Sequence, residues 1–224
     1  MRLHLPRPLA AYETFVFDCD GVLLDSNRIK TEAFYAAALC FGSAVAEQFV
    51  SYHKANGGVS RQEKFHYLFA NILNFRNLPE ADYHQALSVY GEQVRIGLER
   101  CSIAPGVRDL LEQLPAGSRR YVVSGGAQDE VRWVLELKKL STYFDGIYGN
   151  PTDKLELVKR LDMSQAMPGT RLYFGDARYD HEVARAFNMD FVFVSGLSEF
   201  SGWSEYCHQN KLQVIEWLSQ VVPR

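Results

Sequence analysis

Residues 15–26 read FVFDCDGVLLDS, and the fold prediction for the whole chain starts from this stretch. Three apolar residues run directly into Asp18, and Asp20 and Gly21 follow after one small residue. Because side chains alternate along a strand, Asp18 and Asp20 are predicted to share one side, and Gly21 allows a sharp turn after them. Unpaired charge is costly to bury, and two close carboxylates raise each other's pKa. The stretch therefore predicts a strand that delivers two acids to a site where a cation or a shared proton offsets their charge.

Short aromatic and β-branched runs recur later in the chain, each closed by a Gly, Asp, Ser or Asn. Helical patterns lie between the later runs, as at residues 128–140. Strands that alternate with helices, without two-residue hairpin turns, predict a parallel sheet covered by helices on both faces. Ligands of such sheets bind beyond the carboxyl ends of the strands, where these polar residues would lie. The predicted strands are residues 14–20, 119–125, 146–149, 171–176 and 191–195.

Residues 26–100 have a different sequence pattern, which predicts helices and no strand. Apolar side chains at helical spacing and two loops with Gly or Pro divide the segment into helices over residues 27–41, 46–55, 61–74 and 80–100. We therefore expect residues 1–25 and 101–224 to form an α/β core domain that is interrupted by a helical domain, 26–100. In the tail, Trp203, Tyr206 and Cys207 are interpreted as packing residues before a helix over residues 212–218.

Bulk properties exclude several classes of protein. The 224 residues are 47% hydrophobic and carry a formal charge of −3, so the chain can bury a large core and shows no basic surface for nucleic acid. No apolar run approaches the roughly 18 residues of a membrane helix, and residues 1–14 contain no secretory pattern. The four cysteines have neither paired nor metal-ligand spacing. These features predict a cytoplasmic protein with no membrane partner.

Two further groups follow predicted strands. Ser124 and Gly125 precede a helix, where a hydroxyl and free N–H groups favour an anion, although a serine there also commonly caps its own helix. Lys154 lies in the first turn of a helix that Asp153 is expected to cap. A cation at that position opposes the helix dipole by about 0.3–1 kcal/mol, and such a locally unfavourable charge indicates function.

Two more acids, Asp176 and Asp180, follow the fourth predicted strand. Together with Asp18 they would form a cluster of hard oxygen ligands. Such a cluster suits Mg²⁺, which binds one or two carboxylates, water and substrate phosphate. A magnesium ion and Lys154 would then supply the positive charge that residues 15–26 require.

In order and spacing, these groups resemble the motifs of the haloacid dehalogenase superfamily. Its first motif, DxDGxxxDS, matches residues 18–26, its second-motif Ser or Thr matches Ser124, its third-motif Lys matches Lys154, and its GDxxxD motif matches residues 175–180. The resemblance covers nearly the whole chain, because residues 26–100 resemble the helical (type 1) cap of that family. It implies a Rossmann-like core with an inserted α-helical cap domain.

The resemblance also implies a phosphatase mechanism. Asp18 would attack phosphorus to form an aspartyl-phosphate, and Asp20 would act as acid and base. Ser124, the N–H of Gly125 and Lys154 would hold the phosphoryl oxygens. Mg²⁺ would be bound by the Asp18 carboxylate, the Asp20 backbone carbonyl and Asp176, with Asp180 in or just outside the ligand set. Dehalogenases of this group lack an acid at the position of Asp20, so dehalogenation is not expected.

Residues 57–61 of the predicted cap, Gly-Gly-Val-Ser-Arg, resemble a substrate-binding segment of β-phosphoglucomutase. The match implies that Arg61 contacts substrate; the alternative is that Arg61 begins a surface helix. A histidine of that mutase is replaced here by Lys30. We therefore favour a phosphatase acting on a sugar phosphate or a phosphoglycolate-like acid, with a sugar phosphomutase as the alternative.

Two other classes also remain open at this stage. A signalling receiver domain uses clustered acids, Mg²⁺ and a lysine, but it has no insert like residues 26–100. A catalytically silent binding protein is disfavoured because every motif residue is present. The sequence does not determine the substrate, the oligomeric state or the roles of Arg178 and Tyr179.

Overall fold

The structure, a computed structural model, describes residues 5–221; the expectation about a secretory segment depends partly on residues 1–4, which lie outside this range. Six parallel strands form a single sheet in the order β3-β2-β1-β4-β5-β6, which confirms the predicted α/β class. The strands are β1 Thr14–Phe17, β2 Arg119–Ala127, β3 Gly146–Asn150, β4 Arg171–Gly175, β5 Asp190–Val194 and β6 Gln213–Ile215.

The strand β1 lies in the middle of the sheet and is buried on both faces. Its register with its neighbours pairs Thr14 with Arg119 of β2 and with Arg171 of β4. Phe15 and Phe17 enter the apolar cluster on one face, while Val16 enters the cluster on the other. A continuous apolar run is what a strand covered on both faces requires. The carboxyl end of β1, where Asp18 follows, therefore lies at the centre of the sheet edge.

Nine α-helices occur among the described residues. Helices α5 and α6 contribute to the cluster that contains Phe15, and α7, α8 and α9 contribute to the cluster that contains Val16. The helices are α1 Asn27–Ala38, α2 Ser43–Ala55, α3 Arg61–Tyr67, α4 Glu80–Arg100, α5 Val107–Gln113, α6 Gln128–Leu137, α7 Lys154–Met163, α8 Arg178–Ala186 and α9 Trp203–Gln209. None of the helices within residues 5–221 has the length and apolar character needed to cross a membrane.

Helices α1–α4 lie between β1 and α5, close to the positions predicted from the sequence. They pack around an aromatic cluster in which the Phe34 ring centroid lies 4.3 Å from Tyr90 and 5.3 Å from Phe49. The predicted helix 61–74 is α-helical only to Tyr67 and continues as a π-helical turn, Leu68–Ile72. We call residues 26–100 the helical insert; its boundaries as a separate domain stay a prediction.

The predicted helix at residues 212–218 is wrong. Residues Gln213–Ile215 form β6, whose Val214 pairs with Phe193 of β5, and only Leu218–Gln220 form a short 3-10 turn. Three residues are too few to show a period, so the apolar spacing favoured the wrong element. The helix in this region is α9, which presents Cys207 to the core.

Candidate active site

Asp18 follows β1 directly and is almost completely buried. Its Oδ1 accepts a hydrogen bond from the backbone N–H of Cys19 at 2.7 Å and lies 2.8 Å from Nζ of Lys154. Burial raises the pKa of Asp18 to about 7, against the opposing effect of Lys154. One lysine therefore does not fully offset the cost of placing this carboxylate inside the protein.

Asp20 lines the same cavity as Asp18 but has its own cationic partner. Its carboxylate forms an ion pair with Lys30 of α1 and accepts a hydrogen bond from Ser26 Oγ at 2.6 Å. Although burial acts in the opposite direction, Lys30 lowers the pKa of Asp20. The two acids of the first motif therefore have different electrostatic environments, because each pairs with a different lysine.

Gly21 makes the turn that brings the first motif against the end of β4. Its φ is +75°, a conformation that side chains rarely adopt. A Cβ atom at this position would also overlap Asn27 Nδ2 and the carboxylate of Asp176. Both the backbone and the close approach therefore require glycine here.

Lys154 begins α7 and is completely buried. The side chain of Asp153 caps the helix by accepting from Leu155 N at 2.8 Å, as expected from the sequence. Burial alone would lower the pKa of Lys154, but the carboxylates of Asp18 and Asp180 raise it. The lysine is therefore held as an ammonium ion between two acids.

Asp180, in the first turn of α8, is fully buried, and its acceptors are occupied by groups of the chain. Oδ1 lies 2.6 Å from Lys154 Nζ and accepts from the Tyr173 hydroxyl at 3.2 Å, and Oδ2 accepts from Ala177 N at 3.1 Å. These contacts indicate that Asp180 positions Lys154.

Asp176 follows β4 and completes a cluster of three buried acids. One carboxylate oxygen from each of Asp18, Asp176 and Asp180 lies within 4.8 Å of the others. Asp176 Oδ2 accepts from Asn27 Nδ2 at 2.6 Å, while burial and then the Asp18 carboxylate raise the pKa of Asp176 well above its usual value. Every potential metal ligand in this cluster is a carboxylate oxygen, and the negative charge of the three acids exceeds the single positive charge of Lys154. The cluster therefore fits a hard divalent cation such as Mg²⁺.

Ser124 and Gly125 lie near the carboxyl end of β2, beside this cluster. Ser124 is fully buried, and its Oγ accepts from Gly126 N at 3.0 Å. The strand β2 continues to Ala127, and no side chain of that residue caps α6. The alternative in which Ser124 caps the following helix is therefore wrong, since its hydroxyl contacts the strand end and Gly125 lines the cavity.

The helical insert covers the cavity from the opposite side. Arg61 lines the cavity, with only 11% of its side chain exposed, and it pairs with Glu130 of α6 and lies over the Tyr90 ring. Arg61 does begin a helix, α3, as the alternative stated, but its side chain faces the cavity and not the surface. Gly58 approaches so closely that a Cβ on Gly125 would overlap its carbonyl oxygen.

The two undetermined residues of the fourth motif have contacts apart from the acid cluster. The Arg178 guanidinium lies 5.5 Å from the centroid of Phe200, and the Tyr179 hydroxyl donates to Asp153. Sequence reasoning missed Lys64, a buried lysine of α3 that lines the cavity. The available signal was its position four residues before Leu68 on the apolar face of the helix.

The family follows from sequence comparison. The sequence profile of haloacid dehalogenase-like hydrolases matches residues 12–188. The chain belongs to this family. It is therefore an enzyme of the hydrolase class, and the receiver-domain alternative is not supported. No curated protein matches the chain by sequence.

Solved structures share the fold over nearly their whole length. A hydrolase from Pseudomonas syringae has a TM-score of 0.75 at 20% identity, covering 93% of this chain and 95% of its own. A predicted phosphoglycolate phosphatase from Haemophilus somnus 129pt has a TM-score of 0.74 at 17% identity, covering 94% and 96%. A predicted phosphatase from Clostridium acetobutylicum has a TM-score of 0.73 at 21% identity, also covering 94% and 96%. At these identities the likeness establishes the fold.

Proposed function

We propose that this hydrolase is a Mg²⁺-dependent phosphatase of a small phosphorylated metabolite and that it acts through a phosphorylated Asp18. The observation that carries the proposal is the 2.8 Å contact between Lys154 Nζ and Asp18 Oδ1, at the centre of a sheet edge where Asp20 and Asp176 also lie. A buried nucleophile beside a fixed ammonium ion and an oxygen-donor cluster is suited to a phosphoryl group, whose transfer requires positioning and charge neutralisation.

In the proposed reaction, Asp18 attacks phosphorus and the oxygen of the leaving group departs with a proton from Asp20. Ser26 and Lys30 hold the Asp20 carboxylate in place for this role. Asp20 then removes a proton from the water that hydrolyses the phosphorylated Asp18. Asp18 and Asp20 can take separate roles because they have separate partners, Lys154 for the nucleophile and Lys30 with Ser26 for the acid and base.

The phosphoryl oxygens would be bound by Ser124, the N–H of Gly125 and Lys154. Asp18 and Asp176, with the backbone carbonyl of Asp20, would hold Mg²⁺, and Asp180 would position Lys154. When bound, the metal supplies positive charge that neutralises the phosphoryl oxygens and the crowded carboxylates.

Substrates of two kinds fit the proposal: a sugar phosphate and a phosphoglycolate-like acid. Support for the second comes from the names of similar structures, which include predicted phosphoglycolate phosphatases. The cavity encloses about 70 Å³, which is small beside the roughly 300–1,000 Å³ of most ligand pockets. A short substrate is therefore favoured.

A sugar phosphomutase is the second candidate function, because Arg61 lines the cavity and its Nε has no hydrogen-bond partner among the described residues. Incubation of the Mg²⁺-loaded protein with a panel of sugar phosphates and phosphorylated acids separates the two candidates. Release of inorganic phosphate supports the phosphatase, and transfer of phosphate between sugar positions supports the mutase. Absence of both reactions under all divalent cations would refute the catalytic assignment.

A further inference from the structure

The cavity has walls of opposite charge. Its sheet side carries Asp18, Asp20 and Asp176. Its insert side carries cations from α1, α2 and α3, and all four line the cavity: Lys30, Lys54, Arg61 and Lys64. The transferred phosphoryl group belongs to the sheet side in the proposed function, so the cationic wall faces the remainder of the substrate.

Three of these four cations have carboxylate partners within the protein. Lys30 pairs with Asp20, Arg61 pairs with Glu130, and Lys54 Nζ lies 3.5 Å from Glu199 Oε1.

Lys64 differs from the other three cations. It is only 3% exposed, yet no carboxylate among residues 5–221 lies within 4.0 Å of its Nζ. Its neighbours are His53 Nδ1 at 2.8 Å and the Phe34 ring, whose centroid is 5.4 Å away. A buried ammonium ion without a counter-ion is unfavourable by itself, so this side chain is suited to an anion that arrives with the ligand.

A hydrogen-bonded chain fixes the position of Lys64. Burial, and then the charge of Lys64, lowers the pKa of His53 well below its usual value, so the imidazole is neutral. Its Nδ1 accepts from Lys64, which leaves Nε2–H to donate to Thr31 Oγ1 at 3.0 Å. The Thr31 hydroxyl in turn donates to Glu199, in the loop after β5. Lys64 uses one ammonium proton in this chain, and two remain for a ligand.

Arg61 supplies a second unsatisfied donor on the same face of α3. It lies three residues before Lys64, a spacing that places both side chains together on a helix. Its Nε is buried and has no hydrogen-bond partner among the described residues, although its Nη2 is paired with Glu130. The unpartnered Nε of Arg61 and the two remaining ammonium protons of Lys64 therefore lie on one helical turn that borders the cavity.

We propose that Lys64, with Arg61 Nε beside it, binds a second anionic group of the substrate, a carboxylate or a phosphate other than the one that is transferred. This inference rests on the proposed function. It narrows the substrate to short phosphorylated acids or bisphosphates, and it makes Lys64 a residue that determines specificity. Monophosphates whose remainder is neutral leave Lys64 without a counter-ion and are poor substrates.

The test compares matched substrates with the Mg²⁺-loaded protein. Phosphoglycolate carries a carboxylate where ethyl phosphate carries a methyl group, and glucose 1,6-bisphosphate is compared with glucose 6-phosphate. We expect the doubly anionic member of at least one pair to have a kcat/KM about 10- to 100-fold higher, as one charged hydrogen bond provides. Preference within the first pair identifies the group as a carboxylate, and preference within the second identifies a phosphate. No preference in either pair overturns the inference.

The variant Lys64→Met keeps the length of the side chain but removes its charge. It should abolish the preference for the doubly anionic substrate, mainly through KM, with a smaller loss of kcat/KM for its neutral partner. Lys159→Met, on the exposed surface of α7, is the control. Equal losses with both members of a pair would overturn the inference, and Lys64→Gln, checked by thermal unfolding, repeats the test if the first variant is unstable.

Binding of unreactive analogues separates this inference from the proposed function. Calorimetric titration of the Mg²⁺-loaded protein with phosphonoacetate and with ethylphosphonate measures the same difference without turnover. Tighter binding of phosphonoacetate, lost in Lys64→Met, supports the anion site even if no phosphatase activity is found. Phosphatase activity with equal binding of the two analogues would refute the anion site alone.

Discussion

Lys154 and Asp180 form a completely buried ion pair, with Nζ and Oδ1 separated by 2.6 Å. The lysine also contacts Asp18, so one ammonium ion joins the end of β1 to the first turns of α7 and α8. Removing one partner from a buried pair leaves an uncompensated charge, which costs more than the pair itself contributes. The pair is therefore structural as well as part of the candidate site.

Lys154→Met should lower the free energy of unfolding by about 3–5 kcal/mol, because Asp18 and Asp180 lose their shared cation. Urea denaturation followed by circular dichroism measures this change without reference to activity. The matched control is Lys159→Met on the same helix, where the lysine is exposed, and its effect should stay within about 0.5 kcal/mol. Equal stabilities of the two variants would show that the buried pair does not hold these elements together.

Asp18→Asn should reduce kcat for phosphate release at least about 1,000-fold, because the amide cannot act as the nucleophile. Steady-state assays with the best substrate of the panel measure the loss, and thermal unfolding confirms that the variant folds. Asp109→Asn, an exposed position on α5, is the control and should retain full activity. An Asp18→Asn protein with more than a tenth of the original rate would exclude Asp18 as the nucleophile.

Chelation of divalent metal should abolish phosphate release, and added Mg²⁺ should restore it. Asp176→Asn should raise the Mg²⁺ concentration for half-maximal rate at least about tenfold. Asn27→Ala should have a smaller effect in the same direction, since Asn27 orients Asp176 by a 2.6 Å hydrogen bond. Activity that persists in excess chelator, or an unchanged Mg²⁺ dependence in Asp176→Asn, would contradict the proposed metal site.

Gly125→Ala should reduce kcat/KM about tenfold or more, because the new Cβ would overlap the carbonyl oxygen of Gly58 and displace the insert from the cavity. Gly91→Ala on α4 is the control, since a Cβ there meets no atom within 4 Å. The control should leave activity unchanged and stabilise its helix by about 0.5–1 kcal/mol. Full activity in Gly125→Ala would show that the close approach of the insert is not needed for turnover.

The KM of a doubly anionic substrate should increase with pH above about 7. Burial, and then Lys30, lowers the pKa of Lys64 to about 7, so its charge is present below that pH and is lost as the pH rises through it. If only the charged form binds the second anion, the apparent KM increases about tenfold for each further pH unit.

Measurement of KM between pH 6 and 9 with phosphoglycolate and ethyl phosphate tests this dependence. Only the doubly anionic substrate should show it, and Lys64→Met should abolish it. An identical pH dependence with the neutral partner would assign the titration to another group. The groups that face Lys64 from the surrounding elements are Lys30, His53, Lys154, Asp20 and Asp176.

The sheet side of the site could be predicted because its signals are local. Asp18 ends an apolar run, and Lys154 places a cation in the first turn of a helix, where the dipole disfavours it. Each feature conflicts with its own surroundings, so each can be recognised in a short window. The parallel sheet then brings such strand ends to one edge.

The insert side could not be predicted in the same way, because its contacts join residues far apart in the chain. The chain from Lys64 through His53 and Thr31 to Glu199 depends on how α1, α2 and α3 pack, which no short window contains. Aromatic stripes predicted that these helices pack together but not which polar side chains would be enclosed. The prediction at β6 was wrong for the opposite reason, since a segment of three residues is too short to show a periodic pattern.

The central place of β1 also constrains how the protein folds during synthesis. Residues 14–17 pair with residues 119–122 on one side and with residues 171–174 on the other, so the strand emerges from the ribosome long before either neighbour exists. Helices α1–α4 follow it immediately and pack mainly on one another rather than on the later strands. The insert can therefore fold while β1 is still unpaired, and a fragment that ends before β4 leaves one edge of that apolar strand open to aggregation.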